Sequence, residues 1–308
     1  MNLGLFLACV PLLVFMGGSY KPKEKGLAPF QGCGVVGYCT GEQLNRFAAE
    51  TVEDVNESDA ILSVDLLNNW HWCPSARTRM RALDEPVNEF LAKARRKGAL
   101  VIHAVSDSKP HYLNEPGIIQ AARTKATSRV PDGGGRDWGS IDKFELRTLE
   151  PPPPTSLSLD RACGDSGMSL FGARKPRGLP GLNETNVDAA YDMVAIDMDV
   201  IYSAIKSHKT RIRRILYVGV HLDLCILYSR WFSILRVAKF WNLGSDVEYG
   251  IIAPLVDMSN SRPTEHFSTQ MVRDPDAVAR MACWISCVAG PQVVGPDSRI
   301  RVFDYRKL

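Results

Sequence analysis

The sequence predicts an α/β protein, a three-layer α/β/α sandwich with a mainly parallel, doubly wound sheet in a single domain. Short apolar runs alternate with longer stretches in which apolar residues recur at helical spacing, which is the pattern of successive βα units. Parallel strands need crossover connections, so we expect helices on both faces of the sheet. The 308 residues, with 45% hydrophobic content, can bury one large core or two small ones, and length alone does not separate these.

The regular elements follow one another as alternating strands and helices. The first unit has a strand at 60–65, a helix at 75–97 that stops at Gly98, and a strand at 99–104. The apolar side of that helix is formed by Met80, Leu83, Val87, Phe90, Leu91 and Ala94. Further along, the pattern predicts strands at 192–196, 214–219 and 247–253 and helices at 199–208, 222–241 and 277–288.

Residues 1–19 are predicted to be a signal peptide. The apolar stretch at 3–16 has the length of a signal h-region and is too short for a membrane span, and small residues follow it as a cleavage site. A basic n-region is missing, so an uncleaved signal anchor stays an alternative. We expect a secreted or luminal protein with no stable membrane span after signal removal, in which an arm and helix at 20–57 precede the main domain at 58–308.

A long irregular insertion is predicted at 108–186, where the periodicity disappears. Runs of glycine and proline at 133–135, 151–154 and 178–181 mark it. Insertions of this length are either lids and binding elements or disordered segments, and the sequence favours neither.

Charge and composition say little about partners. The formal net charge of +3 is too small to predict nucleic-acid binding. A basic run at 206–214 resembles a phosphate-binding patch, but its place at a helix end favours a solvated connection. Two sequons, at Asn56 and Asn183, predict N-glycosylation of a secreted chain.

The cysteine count agrees with an oxidising compartment. Cys9 falls within the signal peptide, and setting Cys225 aside as a reactive thiol leaves six cysteines, enough for three disulfides. Sequence proximity favours the pair Cys33–Cys39. The remaining four allow three pairings: Cys73, Cys163, Cys283 and Cys287. A bridge between the last two is the least favoured, because it would join residues four apart on one helix.

Cys225 is the candidate nucleophile. The predicted strand 214–219 runs through Gly219 and a short turn into a helix with Cys225 in its first turn. Unpaired backbone N–H groups and the positive end of the macrodipole there favour thiolate over thiol. A buried structural cysteine is the alternative, and for an isolated cysteine it is the commoner one.

Asp65 ends the first predicted strand. In open parallel sheets, ligands bind beyond the carboxyl ends of the strands, so Asp65 and Cys225 can meet in one crevice. A helix N-cap or a turn is the alternative role for Asp65.

Together, these segments resemble the isochorismatase-like cysteine hydrolases, the superfamily that includes the nicotinamidases. The family's Gly-Val-x-x-x-x-Cys motif reads Gly219-Val-His-Leu-Asp-Leu-Cys225, and its strand-Asp element reads Val64-Asp65-Leu66. A less characterised branch also has a His-Trp-Cys element, here His71-Trp72-Cys73, and a strand ending in His-Ala-x-Ser-Asp, here His103-Ala-Val-Ser-Asp107. The resemblance covers roughly residues 58–110 and 186–290.

The resemblance implies a chemistry for these residues. Asp65 would accept the thiol proton, and Cys225 would attack a carbonyl of a small molecule with an amide, C–N or ester bond to give an acyl-enzyme. Backbone N–H groups of His221 and Cys225 would form the oxyanion hole, across a non-proline cis peptide between Val220 and His221. No cofactor is implied.

The family's lysine is replaced in this sequence. The Asp-x-Val-Val-x-Lys pattern reads Asp192-Met-Val-Ala-Ile-Asp197, which puts Asp197 in the place of the lysine. A carboxylate there would disfavour the thiolate, so either another cation takes the role, or the chemistry is altered, or activity is lost. The candidate cations follow strands that should border the same crevice: His71, His103 and Lys109.

Two further expectations come from the same resemblance. Nicotinamidases hold a metal with an Asp-x-His pattern and a further His, which this chain lacks, so no metal is predicted and His71 is more often a packed neighbour of Trp72. The related branch tends to carry a Cys-Asp-like element, echoed at Ala162-Cys-Gly-Asp165, and this favours a Cys73–Cys163 disulfide.

Three functions therefore compete. The first is a secreted isochorismatase-like hydrolase with a small-molecule substrate. The second is a catalytically impaired binding or interaction protein on the same fold. The third is an extracellular redox protein using Cys225, which is weakened because no Cys-x-x-Cys partner lies beside it. Homo-oligomers are compatible with each.

Overall fold

The protein, as a computed structural model, is described at Cys33, Cys39 and residues 53–68, 74–105, 126–131, 149, 181–182, 187–188, 190–195, 197–258 and 275–308. Six strands form one sheet: β1 (Asp59–Val64), β2 (Leu100–Ala104), β3 (Met193–Ala195), β4 (Arg214–Val220), β5 (Glu248–Asp257) and β6 (Ile300–Phe303). The α-helices are α1 (Pro74–Arg96), α2 (Met198–Ser207), α3 (Ile234–Phe240) and α4 (Pro275–Trp284). A π-helix (Leu222–Ser229) follows β4, a π-helical stretch (Ile285–Ala289) and a short helix (Gly290–Val293) continue α4, and a 3-10 turn (Tyr305–Lys307) ends the chain.

The sheet is parallel, in the strand order β3-β2-β1-β4-β5-β6. This confirms the predicted α/β class. The chain moves outward from β1 to β3 and then returns to the other side of β1 with β4, so the strand order reverses between β1 and β4. The crevice at the carboxyl ends of the strands at such a reversal is where doubly wound proteins bind ligands.

Apolar side chains cover both faces of the sheet. The predicted inward side of α1 is confirmed for every residue whose side chain is described: Leu83, Val87, Phe90, Leu91 and Ala94 are buried against one face. On the other face, α2, the π-helix, α3 and α4 share a second buried cluster with the strands. Each fully buried aliphatic side chain contributes about 1.5–3 kcal/mol, so these two layers fix the strands that carry the crevice.

The predicted elements and the structure do not agree everywhere. The single helix expected at 222–241 is wrong, because the π-helix ends at Ser229 and α3 begins at Ile234. Strand β6 was not predicted. The helical part of the arm at 20–57 lies outside the described residues except for 53–57, which are not helical. The proposed signal peptide at 1–19 also lies outside them.

The insertion at 108–186 is described at a few points only. Residues 126–131 are bound to α2, since the hydroxyl of Ser203 accepts hydrogen bonds from the backbone N–H groups of Thr127 and Ser128 and donates one to the carbonyl of Ser128. Gly181–Leu182 forms a two-residue antiparallel pair with Leu67–Asn68, directly after the Asp65 corner. The insertion is therefore attached at two described points, to α2 and to the short segment that follows Asp65.

Two disulfides join the N-terminal arm to α4 and to the π-helical stretch that continues it. Cys33 bonds to Cys283 and Cys39 to Cys287, with Cα atoms 5.4 and 5.1 Å apart. The favoured pairing Cys33–Cys39 is therefore wrong, and the least favoured one, Cys283–Cys287, does not form either. Two cysteines four residues apart on a helix point to the same side, so they meet a second segment rather than each other. The Cys73–Cys163 pair lies outside the described residues.

No helix within the described ranges has both the length and the apolar character needed to cross a membrane.

Candidate active site

Gly219 brings β4 close to β1 at the carboxyl edge of the sheet. It pairs in register with Val64, and a Cβ atom at this position would lie 2.2 Å from the carbonyl oxygen of Val64. Its φ of +105° is also one that residues with side chains rarely adopt. Any larger residue would push apart the two strands whose ends carry Asp65 and Cys225.

Asp65 turns the chain sharply out of the sheet. Its φ is +49°, in the left-handed region that Asp tolerates better than most residues. Its backbone N–H donates to the carbonyl of Ala104, 3.0 Å away, and its side chain is fully buried. An N-cap has extended backbone angles, so Asp65 is not one, and its carboxylate is directed by a corner of the kind that clusters at functional sites.

The peptide bond between Val220 and His221 is cis, as the resemblance implied. The first hydrogen bond of the π-helix runs from the N–H of Ile226 to the carbonyl of His221, at 3.0 Å. The N–H of Cys225 precedes this bond, in the part of a helix whose backbone donors have no intrahelical partner. Such donors favour a negative oxygen or sulfur placed against them.

The structure brings Cys225 and Asp65 together. The Cys225 thiol donates a hydrogen bond to the carboxylate of Asp65, and the backbone of His221 also hydrogen-bonds the sulfur. Among the described cysteines, Cys225 is the one outside a disulfide. A thiol hydrogen-bonded to a carboxylate has the geometry needed for direct proton transfer between them.

The resting state of Cys225 differs from the prediction. Burial, followed by the negative charge of Asp65, raises the pKa of the Cys225 thiol to about 12, although Arg230 acts in the opposite direction. Desolvation and the neighbouring carboxylate therefore act against the preference for thiolate that the helix start was expected to give. The site rests as a neutral thiol beside a carboxylate.

Arg230 supplies a cation to this pair. Its Nε lies 3.9 Å from Oδ2 of Asp65, and it is one of the groups that lower the pKa of Cys225. The distance is that of an ion pair and is longer than a hydrogen bond. The sequence did not indicate Arg230, because the apolar pattern predicted a continuous helix through it, whereas in the structure it is the extended residue that ends the π-helix.

Two predicted pocket residues have other roles. Asp197 is exposed, and its Oδ1 accepts a hydrogen bond from the N–H of Asp199 as the N-cap of α2. It follows β3, which is two strand spacings, roughly 10 Å, from β1. His103 is buried against the α1 side, with Nε2 2.8 Å from Oδ2 of Asp192, which also binds Arg95. Among the described contacts, Asp197 thus caps a helix and His103 takes part in a buried ion pair, while His71 and Lys109 lie outside the described residues.

A further carboxylate at this edge also escaped the sequence analysis. Strand β5 extends beyond its predicted end to Asp257, which pairs in register with Val220 and is fully buried. Its Oδ1 accepts a hydrogen bond from the N–H of Met258. The apolar run ending in Asp repeats the pattern that identified Asp65 and could have revealed it. Over the described part of the chain, no three His, Cys, Asp or Glu side chains are grouped as for a metal ion.

Comparison of the chain with models of known protein families found no match, and a search among curated proteins also found none.

Proposed function

We propose that the protein is an isochorismatase-like cysteine hydrolase that cleaves an amide, C–N or ester bond of a small molecule. The observation that carries this proposal is the contact of the Cys225 thiol with Asp65, next to the Arg230 guanidinium, at the point where the strand order reverses. The family resemblance indicated the first two of these residues, and Arg230 supplies the positive charge that the family's lysine would provide.

The raised pKa of Cys225 is compatible with this chemistry. That pKa describes loss of the thiol proton to solvent while Asp65 stays charged, which would leave two negative charges side by side. Transfer of the proton from sulfur to Asp65 instead keeps one negative charge on the pair, and Arg230 can stabilise it in either position. The nucleophile then forms only when the proton moves.

The proposed cycle has two half-reactions. The Cys225 sulfur gives its proton to Asp65 and bonds to the substrate carbonyl carbon, and the carbonyl electron pair moves onto oxygen, next to the N–H groups of His221 and Cys225. The intermediate collapses, the leaving group departs with the proton from Asp65, and a thioester remains. Water then gives a proton to Asp65 as it attacks the thioester, and the acid leaves while the proton returns to sulfur.

We also propose that the protein is secreted or lies in the lumen of the secretory pathway. Disulfides form and persist in oxidising compartments, and two pairs join the arm to the helix that follows β5. N-glycosylation at Asn56 and Asn183 and removal of residues 1–19 belong to the same proposal.

The competing function is a catalytically impaired binding protein on the same fold. The argument for it from Asp197 is weaker now, because that carboxylate caps α2. The burial of Cys225 still favours it. The two are separated by incubating the intact protein with p-nitrophenyl acetate and mapping the product by mass spectrometry. A hydrolase releases p-nitrophenolate and carries a transient acetyl group on Cys225, which Cys225→Ala abolishes. Absence of both release and adduct, in a protein whose Cys225 still reacts with iodoacetamide, would favour the binding protein.

A further inference from the structure

The four residues between the π-helix and α3, Arg230–Ser233, form a connecting turn that holds the site's cation. Arg230 begins it in an extended conformation, and the N–H of Ser233 donates to the carbonyl of Arg230 at 3.1 Å. Phe232 and Ser233 are buried, so the turn is packed into the protein although it contains no regular structure. The direction of the Arg230 side chain therefore depends on what fixes this turn.

Arg236 fixes the turn from its α3 side. Its Nε donates to the carbonyl of Tyr228 at 2.9 Å, in the last turn of the π-helix, and its guanidinium lies 5.4 Å from the ring centre of Trp231. Arg236 is itself buried, and burial lowers its pKa. A buried guanidinium is costly unless its hydrogen bonds are satisfied, and this one joins the two helices across the turn.

Tyr217 fixes the turn from the sheet. It is fully buried on β4, two residues before Gly219, and its hydroxyl donates to the carbonyl of Phe232 at 3.0 Å. The same strand thus carries the cis peptide to Cys225 and holds the turn that presents Arg230. The positions of Cys225 and of Arg230 relative to Asp65 therefore both depend on β4.

We infer that Tyr217 and Arg236 are positioning residues, which hold the connecting turn Arg230–Ser233 so that the Arg230 guanidinium faces Asp65 and Cys225. This rests on the proposed function, in which Arg230 stabilises the negative charge shared by the pair. Neither residue touches the reacting atoms. Each acts through Arg230, and their effects must disappear when Arg230 is removed.

The test measures the rate at which iodoacetamide alkylates Cys225 in the folded full-length protein between pH 8 and 10. No substrate is needed, so the result is independent of whether the protein hydrolyses anything. Far below the thiol pKa, the thiolate fraction and hence this rate fall tenfold for each unit that the pKa rises. The variants are Tyr217→Phe and Arg236→Lys, each alone and combined with Arg230→Gln, with Tyr249→Phe as the matched control. Tyr249 is also a buried tyrosine, and among the described contacts its hydroxyl does not bond to the connecting turn.

We expect Arg230→Gln to slow alkylation by at least about tenfold, because a nearby positive charge is lost. Tyr217→Phe and Arg236→Lys should each slow it about threefold, since Arg230 stays but is less well directed. In the Arg230→Gln background neither change should matter, and Tyr249→Phe should have no effect in either background. The inference is overturned if Tyr217→Phe leaves the rate unchanged. It is equally overturned if the same slowing persists without Arg230, which would mean that the substitution only loosens the fold.

Discussion

Replacing Asp65 by Asn should make Cys225 react faster with an alkylating agent and should abolish the proposed hydrolysis. The substitution keeps the size of the side chain but removes the negative charge that, after burial, contributes most to raising the pKa of the thiol. Two unit charges about 4 Å apart interact by about 4 kcal/mol at an effective dielectric constant near 20, and each 1.4 kcal/mol is about a factor of ten. The thiolate fraction at a given pH should therefore rise by up to about a thousandfold, while hydrolysis is lost because the proton acceptor is gone.

The assay is the second-order rate of alkylation by iodoacetamide at pH 8, with the modified peptide identified by mass spectrometry. Asp197→Asn is the matched control, because Asp197 is exposed and Asn also caps helices, so its rate should equal that of the unchanged protein. An Asp65→Asn protein that alkylates at the same rate or more slowly would refute the reasoning, since Asp65 would then carry no negative charge beside the thiol. A protein that alkylates faster and releases p-nitrophenolate from p-nitrophenyl acetate as fast as the unchanged protein would contradict the proposed role of Asp65 as the base.

Three further predictions concern the fold that supports the site. Gly219→Ala should lower the free energy of unfolding by about 4 kcal/mol, because the added Cβ overlaps Val64 and the φ is unfavourable. Gly295→Ala is the control, since its φ is +135° but nothing lies within 4 Å of the added Cβ, so it should lose only the smaller contribution from the unfavourable φ. Urea denaturation of the two variants measures the difference. Cys33→Ala and Cys39→Ala should each lower the free energy of unfolding by about 3 kcal/mol, because the disulfide that remains still closes the long loop and the lost one closed only a short ring beside it. The double variant should lose about 8 kcal/mol, because the two bridges span 250 and 248 residues of the chain. Single losses that add up to the loss of the double variant in thermal unfolding would contradict this. Asp192→Asn should cost roughly 3–5 kcal/mol near neutral pH by breaking a buried ion pair. Although burial opposes it, hydrogen bonds from His103 and Arg95 lower the pKa of Asp192 below its usual 3.8, so its stabilisation is complete above that pH and is lost as pH falls through the lower folded value; a cost that grew on acidification would refute the assignment.

The sequence predicted the sheet well because its strands are short, apolar and followed by helices with a clear inward side. It could not predict partners that depend on the third dimension. Three pairings stayed open among Cys73, Cys163, Cys283 and Cys287. In the structure Cys283 and Cys287, which share one side of a helix, bond instead to Cys33 and Cys39. Spacing along the chain carries little information about which segment crosses a given helix face.

The site's cation shows the same limit in a form that bears on function. Asp197 stands where the isochorismatase-like hydrolases, which the sequence resembles, have a lysine. Comparing this one sequence position made loss of activity a reasonable hypothesis. In the structure Asp197 points to solvent as a cap, and Arg230 reaches Asp65 from the end of a π-helix. No glycine or proline marks the interruption at 230–233, and a hydrophobic pattern of period 3.6 does not distinguish one helix from a π-helix followed by a short α-helix. What a Cys–Asp pair requires is a positive charge within a few ångströms, and electrostatics does not depend on which strand supplies it. The choice between enzyme and binding protein therefore depends on whether any cation lies beside Asp65, and Arg230, 33 residues after Asp197 in the sequence, has its Nε 3.9 Å from Oδ2 of Asp65.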